Sequence, residues 1–86
     1  MRTAGTRLEP GHVLVDAANG SYGTVERDGK PVWYVKTPTG HLGNVSNHEV
    51  TEHEDGTITV TPSILVSDHT GELWHGFLER GIWRSV

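Results

Sequence analysis

Three dipeptides constrain this chain most: Asp28-Gly29, Asp55-Gly56 and Arg80-Gly81, each set between runs that mix apolar and polar residues. A pair whose residues accept positive φ closes a tight hairpin, because the twist of such a turn matches that of the strands it joins. Asp28-Gly29 separates "TVER" from "KPVWYVK", and Asp55-Gly56 separates "EVTEHE" from "TITVT". In the latter run Ile58 and Val60 point one way while Thr57, Thr59 and Thr61 point the other, as in a half-buried strand. The 11 glycines and 4 prolines leave no window with three turns of helical periodicity. The expected fold is all-β: a small single-domain curled antiparallel sheet or barrel, with about seven or eight short strands built from successive hairpins.

Residues 1–9 show no period and are expected to form a flexible start to a single domain spanning 10–86. "HVLV" (12–15) has the pattern of a short strand with Val13 and Val15 on one face, and "DAANGSYG" (16–23) that of a loop. "TPTG" (37–40) turns the chain into "HLGNV". Pro31 removes a ladder donor and suits the start of an edge strand. Pro62 is expected to interrupt the chain, leaving "SILV" (63–66) as a separate strand and "SDHTGE" (67–72) as a loop.

At 86 residues the chain buries only about 60–65% of its unfolded surface, so the core is thin. Apolar residues make up 34% and charged residues 21%, a folded rather than a disordered composition. With no cysteine, disulfides, thiolate zinc sites and a cysteine nucleophile are all excluded. No apolar run reaches the ~18 residues of a membrane span and no secretory leader pattern opens the chain, so a cytoplasmic protein is expected. A formal charge of −4 speaks against a nucleic-acid partner held through phosphates. Protonating all six histidines would change that balance to 7 + 6 − 11 = +2, so behaviour is expected to change between about pH 7 and pH 5.

The tail "LWHGFLERGIW" (73–83) defines its own pairing. With Arg80-Gly81 at the centre of the turn, Glu79 faces Ile82, Leu78 faces Trp83, Phe77 faces Arg84, Gly76 faces Ser85 and His75 faces Val86. One face then holds Trp74, Gly76, Leu78, Trp83 and Ser85. The other holds Leu73, His75, Phe77, Glu79, Ile82, Arg84 and Val86. Gly76 leaves room for an indole to lie over the backbone. Because both faces carry apolar groups, the hairpin must sit centrally in a curled sheet or be covered by another subunit.

The tract Thr61-Pro62-Ser63-Ile64 and the tail residues Trp74, His75, Gly76, Phe77, Leu78, Gly81 and Trp83 resemble the C-terminal part of a family of short phage and prophage proteins of unknown function. Some of its members carry the name ammonia monooxygenase. The resemblance covers about the last third of the chain. It implies a phage origin and an all-β fold rather than a reaction. The family's cysteine-rich, metal-binding N-terminal part has no counterpart here, since the chain lacks cysteine.

Among residues with chemical potential, His75 beside Trp74 stands out as a ligand contact or general base, or as a histidine that holds a strand. His41, His48 and His53 with Glu49, Glu52, Glu54 and Asp55 contain metal-ligand types. Residues 48 and 53 differ by an odd number, however, and on a strand they point to opposite faces. Ser67-Asp68-His69 contains the letters of a hydrolase triad, but consecutive residues cannot converge. Val32-Trp33-Tyr34-Val35 with Arg27, Lys30 and Lys36 forms a small basic-aromatic surface.

The chain is thus expected to be a non-enzymatic phage accessory protein of the host cytoplasm. It would act by self-association, by contact with a host protein, or by both, through the aromatic C-terminal hairpin. The candidate binding residues are Trp74, His75, Phe77, Trp83, Arg84 and Tyr34; no catalytic residue, metal or cofactor is assigned. A module that sequesters a small ligand or nucleotide signal is the alternative, with a subunit-interface pocket using His75, Arg84 and Tyr34.

Overall fold

The computed structural model describes residues 2–12 and 14–86, and among them the fold is all-β, as expected. Nine strands form two sheets: β1 (Arg2–Ala4), β2 (Thr6–Arg7), β3 (Ser21–Arg27), β4 (Lys30–Lys36), β5 (Leu42–Asn44), β6 (Glu49–Glu52), β7 (Ile58–Asp68), β8 (Gly71–Glu79) and β9 (Ile82–Ser85). The larger sheet runs β1-β9-β8-β7-β6 and the smaller β2-β3-β4-β5. The sheets do not close into a barrel, and β2 pairs with β3 in parallel while every other pair is antiparallel. None of the described residues forms a helix long and apolar enough to cross a membrane.

The three dipeptides all lie in hairpins, but not all in the same way. Asp28 (φ 52°) with Gly29 (φ 79°) and Arg80 (φ 46°) with Gly81 (φ 77°) adopt the doubly left-handed geometry of a two-residue turn. The β8–β9 register matches the expected pairing from Glu79/Ile82 to Gly76/Ser85, and the Val86 N–H donates to the His75 carbonyl. Asp55-Gly56 belongs to a wider loop. Glu52 pairs with Ile58, the Gly56 N–H donates to the His53 carbonyl, and Gly56 alone is left-handed (φ 88°). Asp55 instead accepts hydrogen bonds from the Thr57 N–H at 3.0 Å and the Thr57 hydroxyl at 2.6 Å.

Four local expectations are corrected. The start expected to be flexible supplies β1 and β2, one edge strand to each sheet, because β9 and β3 offer unpaired main-chain groups there. "HVLV" is not a strand: Leu14–Asp16 form a single 3-10 turn with Leu14 buried and Val15 61% exposed, and Val13 lies outside the described residues. The loop expected at 16–23 ends earlier, since Ser21, Tyr22 and Gly23 already belong to β3. Pro62 does not end a strand, and β7 runs through it; the three residues 61–63 stand opposite Phe77 alone, between the pairs Val60/Leu78 and Ile64/Gly76. A proline cannot donate to the ladder, so a local irregularity absorbs it.

The core lies between the sheets. Tyr22 and Val35 come from the smaller sheet, Val45 from the segment after β5, and Ile58, Val60, Ile64, Trp74, Leu78 and Trp83 from the larger. Trp74 and Trp83 meet edge to face, with ring centroids 5.3 Å apart and planes at 86°. A Cβ on Gly76 would collide with Trp74 and with the Arg84 carbonyl, so Trp74 is the indole that uses the space Gly76 leaves. The Trp83 indole N–H donates to the Gly20 carbonyl at 2.8 Å, a buried bond from one sheet to the other. Above it the chain crosses between sheets at Gly5, where a Cβ would lie 2.8 Å from the Gly20 carbonyl and 2.9 Å from the Trp83 nitrogen.

Two outcomes follow from this packing. Trp83→Phe removes the inter-sheet bond and leaves the Gly20 carbonyl short of a donor; it is expected to cost about 2–4 kcal/mol, read as a fall of order 10 °C or more in Tm. Gly5→Ala is expected to cost about 1–3 kcal/mol by overpacking the same spot. The turns respond to acid. Hydrogen bonds from Thr57 hold the Asp55 carboxyl below its ordinary value of 3.8, the hydroxyl first and the N–H second, and Thr70 does the same for Asp68. A folded pKa below the unfolded one adds stability that is complete above the unfolded value and lost as pH falls through the folded one. Thermal unfolding of Asp55→Asn/Asp68→Asn is therefore expected to be less pH-dependent than wild type below about pH 4.

Candidate functional site

The two sheets differ in what covers their outer faces. Over the smaller sheet the chain folds back on itself: Leu8 packs over Gly23, the 3-10 turn lies against β3 and β4, and Lys36 Nζ donates to the Val15 and Ala17 carbonyls at 3.0 and 2.8 Å. The outer face of the larger sheet is open. Strand alternation and the pairing register bring Leu65 beside His75, Phe77 beside Arg84 and Ile82 beside Ala4 on that face, with Leu73 and Ser63 alongside. Leu65 is 54% exposed, Ile82 37% and Val86 77%, while Leu73, His75 and Phe77 are half-buried. Singly exposed apolar side chains are ordinary; a contiguous strip of them across three neighbouring strands is not.

The polar groups on this face are fixed in place. The Arg84 guanidinium lies 4.5 Å from the Phe77 ring centroid and donates to Glu79 at 2.8 Å. His75 Nε2 shares a hydrogen bond of 3.0 Å with the Ser63 hydroxyl, and its Nδ1 lies 3.8 Å from the Glu72 carboxylate. His48 Nε2 is 3.0 Å from the Ser63 carbonyl, which fits Nε2–H as donor. Its other ring nitrogen is buried with no hydrogen-bond partner among the described residues.

Ser63, His75 and Glu72 repeat the order of nucleophile, base and orienting acid found in hydrolases. The resemblance is incomplete. The Glu72 contact exceeds hydrogen-bond length, its carboxylate is largely solvated, and neither Ser63 nor His75 lines any of the five principal cavities. Here the Ser63 hydroxyl and His75 clamp β7 to β8 beside the Pro62 irregularity.

The six candidate binding residues separate into three places. Trp74 and Trp83 belong to the core, although their edges also line an apolar recess of about 240 Å³ with Thr3, Pro38, Thr39 and Ser85. His75, Phe77 and Arg84 share the open face. Tyr34 lies on the outer face of the other sheet, under the Arg27 guanidinium at 5.7 Å and beside Leu14, Val15, Val25 and Leu42. A single pocket within one chain that uses His75, Arg84 and Tyr34 together is therefore ruled out, since two sheets stand between them.

The basic-aromatic run splits for the same reason. Trp33 turns toward the core, with Arg7 over its ring at 5.2 Å, while Tyr34 turns away. Among the described residues no three histidine or acidic groups converge as metal ligands; His53 bonds the Thr59 hydroxyl and His48 the Ser63 carbonyl. Asp68 caps the β7–β8 turn by accepting from Thr70, and among the described residues no hydrogen bond joins it to Ser67 or His69. Leu65, Ser63 and Glu72 are the members of the open face that sequence reasoning missed. The even-numbered inward pattern of Ile58 and Val60 continues to Ile64, and could have placed Ser63 and Leu65 outward.

Compared with known protein families, with curated proteins and with solved structures, the chain matches none.

The face assignment has a simple check. Leu78→Ala on the inner face is expected to cost about 2–5 kcal/mol. Phe77→Ala, one residue along, is expected to cost clearly less than that, because its ring is only partly buried. Urea unfolding of the two variants measures both.

Proposed function

We propose that the protein is a non-enzymatic binding module, of the kind phages use as accessory proteins, which associates with a second copy of itself through the outer face of β7, β8 and β9. One observation carries this: Leu8 and the 3-10 turn cover part of the smaller sheet's outer face, leaving Val15 and Leu42 exposed there, whereas the larger sheet's outer face carries an apolar strip across three neighbouring strands. Leu65, Leu73, Phe77, Ile82 and Val86 supply the apolar area. Phe77 is the anchor, since an aromatic ring at the centre of a patch yields the most on desolvation. A two-fold axis through such a patch apposes it with itself, and the fixed Arg84–Glu79 pair, its guanidinium over the Phe77 ring, supplies both signs of charge for that contact. A host protein with a complementary apolar face is the other occupant this surface fits.

Sedimentation of the wild type is expected to show a dimer. Leu65→Asp and Phe77→Glu are expected to give monomers whose Tm, measured at concentrations where wild type is also monomeric, falls by no more than a few degrees. Trp83→Ala, in contrast, is expected to lower stability and assembly size together, because it damages the fold beneath the face. A wild type that sediments as a monomer at high concentration counts against self-association and leaves the host partner as the occupant to be sought.

A further inference from the structure

Between the two sheets, on the side of the Gly5 crossing, lies an open crevice of about 620 Å³ whose wall mixes the polar side chains of Arg7, Glu9, Tyr22, Asp55 and Thr57 with apolar Leu8 and Pro10. Three of its groups are held rigidly while keeping bonding capacity in reserve. Arg7 lies on the Trp33 ring and donates to the Gly56 carbonyl at 3.1 Å and to Glu52 at 2.7 Å, which uses two of its five N–H groups. Asp55 is fixed through Oδ1 by Thr57, so Oδ2 is free to accept. Tyr22 is only 2% exposed, and among the described residues nothing hydrogen-bonds its hydroxyl, which lies at the crevice floor beside Gly81.

Although the ring is in the core, its hydroxyl keeps contact with solvent and can bond water or a ligand that enters the crevice. Burial, opposed by Arg7 and assisted by Asp55, keeps the phenol above its ordinary value and therefore protonated at neutral pH. It is available as a donor. A protonated phenol next to a guanidinium with spare N–H groups is a receptor for a carboxylate. The Asp55 Oδ2, with Glu9 on the same wall, is a receptor for an ammonium.

We infer that this crevice binds a small zwitterion, a free amino acid or short peptide, with its carboxylate on Arg7 and the Tyr22 hydroxyl and its ammonium on Asp55. The volume suits a ligand of that size. An anion alone would meet the Glu9 and Asp55 carboxylates, and a cation alone would meet Arg7, so one charge without the other gains little. The site is separate from the outer face of the larger sheet and does not depend on what that face binds.

The test is a titration of the full chain, by thermal shift and by amide resonances, with each of the twenty free amino acids and with Gly-Gly and Ala-Ala. At least one probe is expected to bind with a Kd at or below about 1 mM and to shift the resonances of Arg7, Asp55 and Thr57. The N-acetyl and the C-terminal amide forms of that probe are each expected to bind about tenfold more weakly or worse. Tyr22→Phe keeps the ring in the core and is expected to hold its Tm while binding about tenfold more weakly; Asp55→Asn is expected to weaken binding similarly, and Glu26→Gln, exposed near the end of β3, to change nothing. Absence of binding by every probe overturns the inference. So does equal binding by Tyr22→Phe, by the blocked probes, or an equal loss in Glu26→Gln, which would mark general charge effects.

Discussion

The fold turns on the buried hydrogen bond between the Trp83 indole and the Gly20 carbonyl. Two sheets can be held together by apolar contact alone, but such contact has no direction and tolerates sliding. A donor 2.8 Å from a main-chain acceptor in the turn that leads into the opposite sheet fixes their offset. Its surroundings are arranged to permit it. Gly20 is left-handed (φ 88°), and Gly5 lets the N-terminal strands pass close overhead. The same carbonyl also accepts from the Thr6 N–H at 3.3 Å, so one oxygen joins the C-terminal hairpin, the N-terminal crossing and β3. Trp74, edge-on to Trp83, extends the anchor across the core.

What could be seen in the sequence was what depends on short separations. The Arg80-Gly81 turn, the β8–β9 register and the room over Gly76 follow from residues within a dozen positions of one another. They appear as expected. The division into two sheets was not visible, because it depends on Ala4, Gly5 and Thr6 moving from one sheet to the other over residues 20 and 83. Nothing within residues 1–9 marks that change. Pro62 misled because its local meaning, a lost donor, is the same whether a strand ends or bulges; pairing with β8 decides which. Leu14 misled because an apolar residue in a short alternating run can equally be the plug of a covering loop.

The candidate site divides along the same line. His75, Phe77 and Arg84 were placed on one face by strand parity alone. Tyr34 could not be assigned to that face or another without knowing how the sheets stack. Arg7, Tyr22 and Asp55 lie on β2, on β3 and in the loop after β6, and no spacing rule joins them. They meet because the sheets meet. The open face and the crevice are therefore different kinds of feature: the first is a property of three consecutive strands joined by tight turns, the second of the whole assembly of strands.

The pairing of β1 with β9, with Thr3 opposite Trp83, carries a consequence for synthesis. Domains in general begin to fold as the chain emerges from the ribosome, N-terminal parts first. This one cannot finish that way. Its first strand waits, with its main chain unpaired, until the strand carrying Trp83 is free of the exit tunnel, and the bond to Gly20 cannot form before then. While it waits, β8 carries two apolar faces with no partner on the β9 side. In that interval the strand edge and both faces of this hairpin are open to unintended pairing.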